Sequence, residues 1–79
     1  MVTRMAPSLE TVEGLVAEVE QWYERVREVR QKMSRLKLGS EGYQDLLSEL
    51  WVELDWLKMK AEVAADAIDA YQESLPEDE

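Results

Sequence analysis

Apolar residues recur along this chain at alternating intervals of three and four positions. In the first half the repeat comprises Val12, Leu15, Val19, Trp22, Val26, Val29, Met33 and Leu36. In the second half it comprises Tyr43, Leu47, Leu50, Leu54, Leu57, Ala61, Ala64, Ile68, Tyr71 and Leu75. A repeat sustained over so many turns is typical of helices that pack as a coiled coil. The pattern therefore predicts an all-α protein with two long helices.

Turn-forming residues mark where these helices begin and end. Ser8 precedes the first repeat and is expected to cap the first helix. Gly39 suits a left-handed backbone conformation after that helix, and Ser40 suits the next N-cap. The expected organisation is a flexible N-terminus (1–7), a helical hairpin (8–75) made of a helix (8–38), a turn (39–42) and a second helix (43–75), and a disordered acidic tail (76–79).

Two helices joined by so short a turn must fold back as an antiparallel hairpin. The seam between them is expected to contain Leu15, Val19, Trp22, Val26, Val29, Leu50, Leu54, Leu57, Ala61, Ala64 and Ile68. If facing residue numbers sum to about 83, Trp22 lies opposite Ala61, a large residue against a small one.

The second helix carries another apolar stripe. Val52, Trp56, Met59 and Val63 repeat at intervals of four, three and four. At about 100° per residue this stripe lies nearly opposite the seam. Together with Trp51 beside it, this stripe predicts a partner interface. Either the second helices of two copies meet there at the middle of a four-helix bundle, or a different protein binds there. The alternative is ordinary scattered surface apolarity.

Composition strengthens the prediction of self-association. A chain of 79 residues forms one small domain with a limited core. It has no cysteine and no histidine, so disulfides and thiolate or imidazole metal sites are excluded. Association with another copy is the remaining common way to stabilise so small a domain.

The charge distribution also restricts the choice of partner. The 18 acidic and 9 basic residues give a net charge of −9, which disfavours nucleic acids and anionic membranes as partners. Six basic residues and one acid occupy residues 25–37, where cations suit a helix C-terminus. They are expected to lie beside Glu41, Asp45, Glu49 and Glu53. Without an apolar run long enough for a signal or membrane segment, a cytoplasmic location is expected.

Catalytic chemistry finds little support in these residues. Nucleophile–base pairs, glycine-rich phosphate loops and calcium loops are absent from the sequence. All-α nucleotide pyrophosphatases of the MazG-like group bind Mg²⁺ through E-x-x-E and E-x-x-D helix motifs. This chain is similar to them in being helical and acidic, but its acidic pairs have i, i+4 spacing: Glu20/Glu24, Asp45/Glu49, Glu49/Glu53 and Glu62/Asp66. No catalytic residue, metal or cofactor is expected.

Three functions remain, in order of preference. The first is a non-enzymatic helical hairpin that binds itself, and another protein, as an adaptor or regulator. The second is a small acidic inhibitor, of a kind encoded by phages, that blocks a nucleic-acid-binding enzyme by charge mimicry. The third is a Mg²⁺-dependent enzyme similar to the all-α nucleotide pyrophosphatases.

Overall fold

The chain folds as two antiparallel helices, as the heptad pattern predicts. The computed structural model describes residues 6–75, with α1 at Leu9–Ser34 and α2 at Glu41–Ser74. The hairpin is a rod measuring 59 × 25 × 18 Å. The all-α hairpin prediction is confirmed. The predicted disordered tail, and most of the predicted flexible N-terminus, lie outside the described residues.

The serine predicted as N-cap precedes each helix, although α2 begins two residues before the predicted bound of 43. The Thr11 N–H donates to Ser8 Oγ at 3.1 Å, and the Tyr43 N–H donates to Ser40 Oγ at 3.2 Å. Each bond satisfies a backbone donor that the first turn of a helix would otherwise leave unpaired. The α-helices therefore start at Leu9 and Glu41.

The first helix ends four residues earlier than predicted. Ser34 donates its hydroxyl to the Gln31 carbonyl at 2.7 Å, and the next two amides, of Arg35 and Leu36, make i→i+3 bonds. Serine hydroxyls compete for helix carbonyls, and i→i+3 bonds tighten and end a helix. The connection therefore spans residues 35–40, and Gly39 takes the predicted left-handed conformation at φ 81°.

The inward face of α1 matches the predicted repeat. Val12, Val29 and Met33 are buried, with Met33 only 1% exposed. The other repeat residues before the end of the helix are half-buried: Leu15, Val19, Trp22 and Val26. Leu36 is exposed because it follows the end of the helix.

The inward face of α2 differs from the prediction. Ala64 is buried, and Leu50 and Leu57 are half-buried. Leu54, Ile68 and Ala61, however, are exposed, the first two at 45% and 38%. The positions one residue before those of the predicted stripe are half-buried instead: Leu46, Glu53, Lys60 and Ala67. The α2 helix is thus rotated by roughly 50° about its axis relative to the predicted seam.

Two contacts between the helices are made in this rotated arrangement. Lys60 Nζ donates to Glu18 Oε1 at 2.9 Å, and the Trp22 and Trp56 rings lie 5.9 Å apart. The residue numbers in each pair sum to about 78 rather than 83. Trp22 therefore contacts another tryptophan rather than lying opposite Ala61. An aromatic pair stabilises a fold by about 0.5–1.5 kcal/mol beyond its buried area, which favours the rotated arrangement.

Candidate protein-interaction surface

Trp22 is the centre of a cluster at one edge of the hairpin seam. Its ring is tilted by 42° against that of Trp56. The Arg25 guanidinium lies 4.4 Å from the centroid of the Trp22 ring, and Lys60 Nζ lies 5.5 Å from it. Cations at these distances are attracted by the electron-rich face of the indole. Trp56 thus lies at the edge of the seam and remains 44% exposed, whereas the sequence placed it on the opposite side of α2.

The same seam contains two polar atoms without a hydrogen-bond partner among the described residues. They are Trp22 Nε1 and one carboxylate oxygen of Glu53, Oε1. The cations beside Trp22 are donors only and cannot accept the indole proton. A buried polar atom left unpaired destabilises a fold by about 1–3 kcal/mol. Glu53 is therefore a weak point of the seam.

Exposed apolar side chains lie on both sides of the seam rather than opposite it. One group, here called the Trp56 face, consists of Val52, Trp56, Met59 and Val63, all exposed. The other α2 group comprises Leu47, Trp51, Leu54, Ala61 and Ile68, also exposed. Between them, on the outermost side of α2, lies a polar stripe made of Ser48, Asp55, Glu62 and Asp69.

The second group continues onto α1. Leu9, Val16 and Tyr23 recur at intervals of seven residues. On a helical wheel they lie about 70° from the inward direction of α1, on the side away from Glu18. Because Glu18 bonds Lys60 on the Trp56 side, these three residues lie on the same side of the rod as Leu54. We call this combined surface the two-helix face; Tyr23 is 54% exposed there and Leu9 52%.

The residues predicted to form a partner interface therefore lie on two different surfaces. Val52, Trp56, Met59 and Val63 share one side of α2, as predicted, but Trp51 lies about 140° away from Trp56, on the two-helix face. Trp51 is the most exposed of the five, at 67%. The apolar residues of α1 on this side were not predicted to be part of a surface, although the seven-residue spacing of Leu9, Val16 and Tyr23 is visible in the sequence.

Charge is distributed unevenly along the rod. The half near the connection, residues 25–55, contains six basic and six acidic residues and is neutral. The open half, residues 8–24 and 56–75, contains two basic and nine acidic residues, a net charge of −7. Within α1 the contrast is sharper, because residues 9–24 have five acids and no base.

The basic run does not form the ion pairs expected with α2. Across residues 6–75 the ion pairs are Lys60–Glu18 between the helices and Arg27–Glu24, at 3.6 Å, within α1. Neither joins residues 25–37 to Glu41, Asp45, Glu49 or Glu53. Exposed pairs contribute only about 0–1 kcal/mol, so their absence costs the hairpin little. Apart from Arg27, which pairs with Glu24, and Arg25, which lies over Trp22, the cations of the run remain available to a partner.

A shallow groove lies within this basic part of α1. It is lined by Tyr23, Val26, Arg27, Arg30, Gln31 and Ser34. Tyr23 belongs to the two-helix face, and Arg30 follows it at the same seven-residue spacing. The groove therefore joins apolar and cationic surface on the side of the rod that contains the two-helix face.

No group of three or more acidic side chains within residues 6–75 is arranged to hold a metal ion. In the same range, neither helix is apolar enough over a sufficient length to cross a membrane. Comparison of this chain with protein-family models, with curated proteins and with solved structures finds no match. The functional conclusion therefore rests on the residues themselves.

Proposed function

We propose that this protein is a non-enzymatic interaction protein, an adaptor or regulator, whose hairpins pair into a four-helix bundle. The observation that carries the proposal is the imbalance between buried and exposed apolar side chains. Within residues 6–75 only four hydrophobic residues are buried, three of them on α1: Val12, Val29, Met33 and Ala64. Eight exposed large hydrophobic residues lie on α2: Leu47, Trp51, Val52, Leu54, Trp56, Met59, Val63 and Ile68.

The physical reason is the cost of leaving so much apolar surface in water. Burial contributes about 25 cal/mol for each Å² removed from water, and a small domain has little other stabilisation to draw on. Contiguous apolar surface of several hundred Å² on a monomer commonly marks an interaction site. Self-association would supply to α2 the core that α1 alone does not provide.

Size exclusion with multi-angle light scattering tests this proposal. The full chain has a mass of 9.2 kDa, so the pairing of hairpins predicts a species of twice that mass at micromolar concentration. A mass equal to one chain across the whole concentration range would contradict self-association.

We propose that the Trp56 face binds another protein. Tryptophan and methionine are enriched at protein interfaces, and anchor residues of this kind often cost 2 kcal/mol or more when truncated. Met59→Glu, which leaves the contact of Trp56 with Trp22 untouched, should therefore abolish binding of another protein, and Asp55→Ala, on the adjacent polar stripe, should leave it intact. Loss of binding in both variants, or in neither, would contradict this role of the Trp56 face.

The acidic open half supports a second candidate, inhibition of a nucleic-acid-binding enzyme by charge mimicry. A net charge of −7 concentrated in one half of a narrow rod would be attracted to a basic groove. Such binding weakens steeply with salt, because the interaction of exposed charges is screened. Capture of a partner that persists at 1 M NaCl would favour apolar docking over mimicry.

A further inference from the structure

We infer that the two-helix face, rather than the Trp56 face, binds the second copy of this chain, with the two rods antiparallel. This rests on the proposed self-association and specifies its surface and orientation. In this arrangement the connection of one hairpin lies beside the open end of its partner. A two-fold axis crosses the rod near its middle, α1 packs against α1 of the second copy, and α2 packs against α2.

The extent of the apolar surface favours this face. The Trp56 face comes from α2 alone, and the adjoining part of α1 carries the charged side chains of Glu18 and Arg25. The two-helix face instead presents apolar residues from both helices, as each half of a four-helix bundle must. Lys58 interrupts its α2 stripe, and the long side chain can carry the ammonium group to the rim of the interface. From Leu47 to Ile68 it is about 32 Å long, and two adjacent helices are roughly 20 Å wide. Pairing would cover about 600 Å² on each copy, which reaches the lower limit for a stable interface.

The positions of the two apolar stripes suit a two-fold axis. The α2 stripe from Leu47 to Ile68 has its midpoint between residues 57 and 58. On α1 the point midway between Val16 and Tyr23 lies between residues 19 and 20, so an axis there places Val16 opposite Tyr23 of the second copy and Leu9 opposite the cation Arg30. The observed register brings these two midpoints to nearly the same level of the rod, as Glu18–Lys60 and Trp22–Trp56 show. An axis at this level places Leu54 opposite Ala61 of the second copy, a large residue against a small one.

Charge determines the orientation. A parallel pair would place two open halves, each with a net charge of −7, side by side. The antiparallel pair instead places the acidic open end of each rod beside the connection end of its partner. With the axis between residues 19 and 20 of α1, residues 9–14, which contain two acids, lie opposite residues 25–30 of the second copy, which contain three bases and one acid. These cations have no ion-pair partner on α2 within the described hairpin, so the acids of the second copy would supply one.

Matched charge substitutions test the choice of face. Leu54→Glu places a carboxylate on the two-helix face, and Val63→Glu places one on the Trp56 face. The two native side chains are similarly exposed, Leu54 at 45% and Val63 at 48%. We expect Leu54→Glu to weaken dimerisation at least tenfold by sedimentation equilibrium and Val63→Glu to leave it within twofold. The reverse result, or dissociation by neither, would overturn the assignment. Circular dichroism of each variant at high concentration checks that the helices are retained.

Disulfide trapping tests the orientation, because the chain has no cysteine of its own. An equimolar mixture of Leu47→Cys and Ile68→Cys chains should form the mixed disulfide under mild oxidation, whereas each alone should not. A parallel pair would instead join Leu47→Cys to Arg30→Cys of the other copy. Efficient trapping of that second combination, without the first, would overturn the antiparallel arrangement.

Absence of self-association and pairing through a different face would give different results. A monomeric wild type would contradict self-association itself. A dimeric wild type that Leu54→Glu leaves intact and Val63→Glu dissociates would contradict only the choice of the two-helix face.

Discussion

Replacing Glu53 by leucine tests the rotation of α2 within the hairpin. Glu53 lies on the inward face between Leu50 and Leu57, and one of its carboxylate oxygens is buried without a hydrogen-bond partner. The seam predicted from the sequence would instead place residue 54 inward and leave Glu53 in water. The two arrangements therefore predict different effects of Glu53→Leu on stability.

The magnitude follows from the environment of this side chain. An unpaired buried polar atom costs about 1–3 kcal/mol, and partial solvent access places Glu53 at the low end of that range. Removing the carboxylate should therefore stabilise the chain by about 1 kcal/mol. For a domain of this size such a gain raises the melting temperature by roughly 4–8 °C. Helix propensity does not confound the comparison, because leucine and glutamate are similar in that respect.

Thermal unfolding followed by circular dichroism at a single protein concentration provides the assay. Glu49→Leu is the matched control, because Glu49 lies one turn earlier on the same helix and is exposed. The rotated helix predicts a higher melting temperature for Glu53→Leu and little change for Glu49→Leu. Equal effects of the two substitutions, or a loss of stability in Glu53→Leu, would refute the observed inward face of α2.

Three further predictions concern the core, the backbone and metal binding. Met33→Ala should lower the free energy of unfolding by about 2–5 kcal/mol in urea denaturation, because Met33 is only 1% exposed. Leu36→Ala, beyond the end of α1, should lower it by less than about 1 kcal/mol, and equal losses would contradict this difference in burial. Gly39→Ala should lower the free energy of unfolding by about 1–2 kcal/mol, because Gly39 has a φ of 81° that alanine adopts only with strain. Gly14→Ala should raise it by about 0.5–1 kcal/mol, because Gly14 lies inside a helix and the methyl group of alanine would meet open space. The opposite signs in thermal melts would be inconsistent with these backbone assignments. Calorimetric titration with Mg²⁺ should detect no sub-millimolar site, since no three carboxylates within residues 6–75 are grouped to hold a metal ion. Detection of such a site would support the hypothesis of a Mg²⁺-dependent enzyme.

The heptad pattern predicts the hairpin correctly because it is carried by many residues at once. The sequence also predicts the two N-caps, Ser8 and Ser40, and the left-handed Gly39, because these conformations depend only on residues nearby in the chain. The end of α1 could not, because it depends on a side-chain hydrogen bond from Ser34. No propensity rule anticipates one such bond in a chain with several serines.

The predicted orientation of α2 was wrong because the hydrophobic pattern is compatible with two inward faces. Leu50, Leu57 and Ala64 belong to two possible stripes, one completed by Leu54 and the other by Glu53. Hydrophobicity alone favours the leucine stripe. In the hairpin the contact of Trp22 with Trp56 and the ion pair of Lys60 favour the other. An apolar residue of the heptad repeat can thus face away from the other helix of the hairpin. The repeat alone does not distinguish such residues from those in the seam.

The concentration dependence of thermal unfolding tests self-association most directly, because pairing should contribute to the stability of the fold. If two chains unfold together, a hundredfold increase in concentration should raise the melting temperature by roughly 8 °C. We expect that rise for the wild type and a much smaller one for Leu54→Glu. A wild-type melting temperature that stays constant over the same range would show that the hairpin is stable alone, and would contradict the proposal that it completes its core with a second copy.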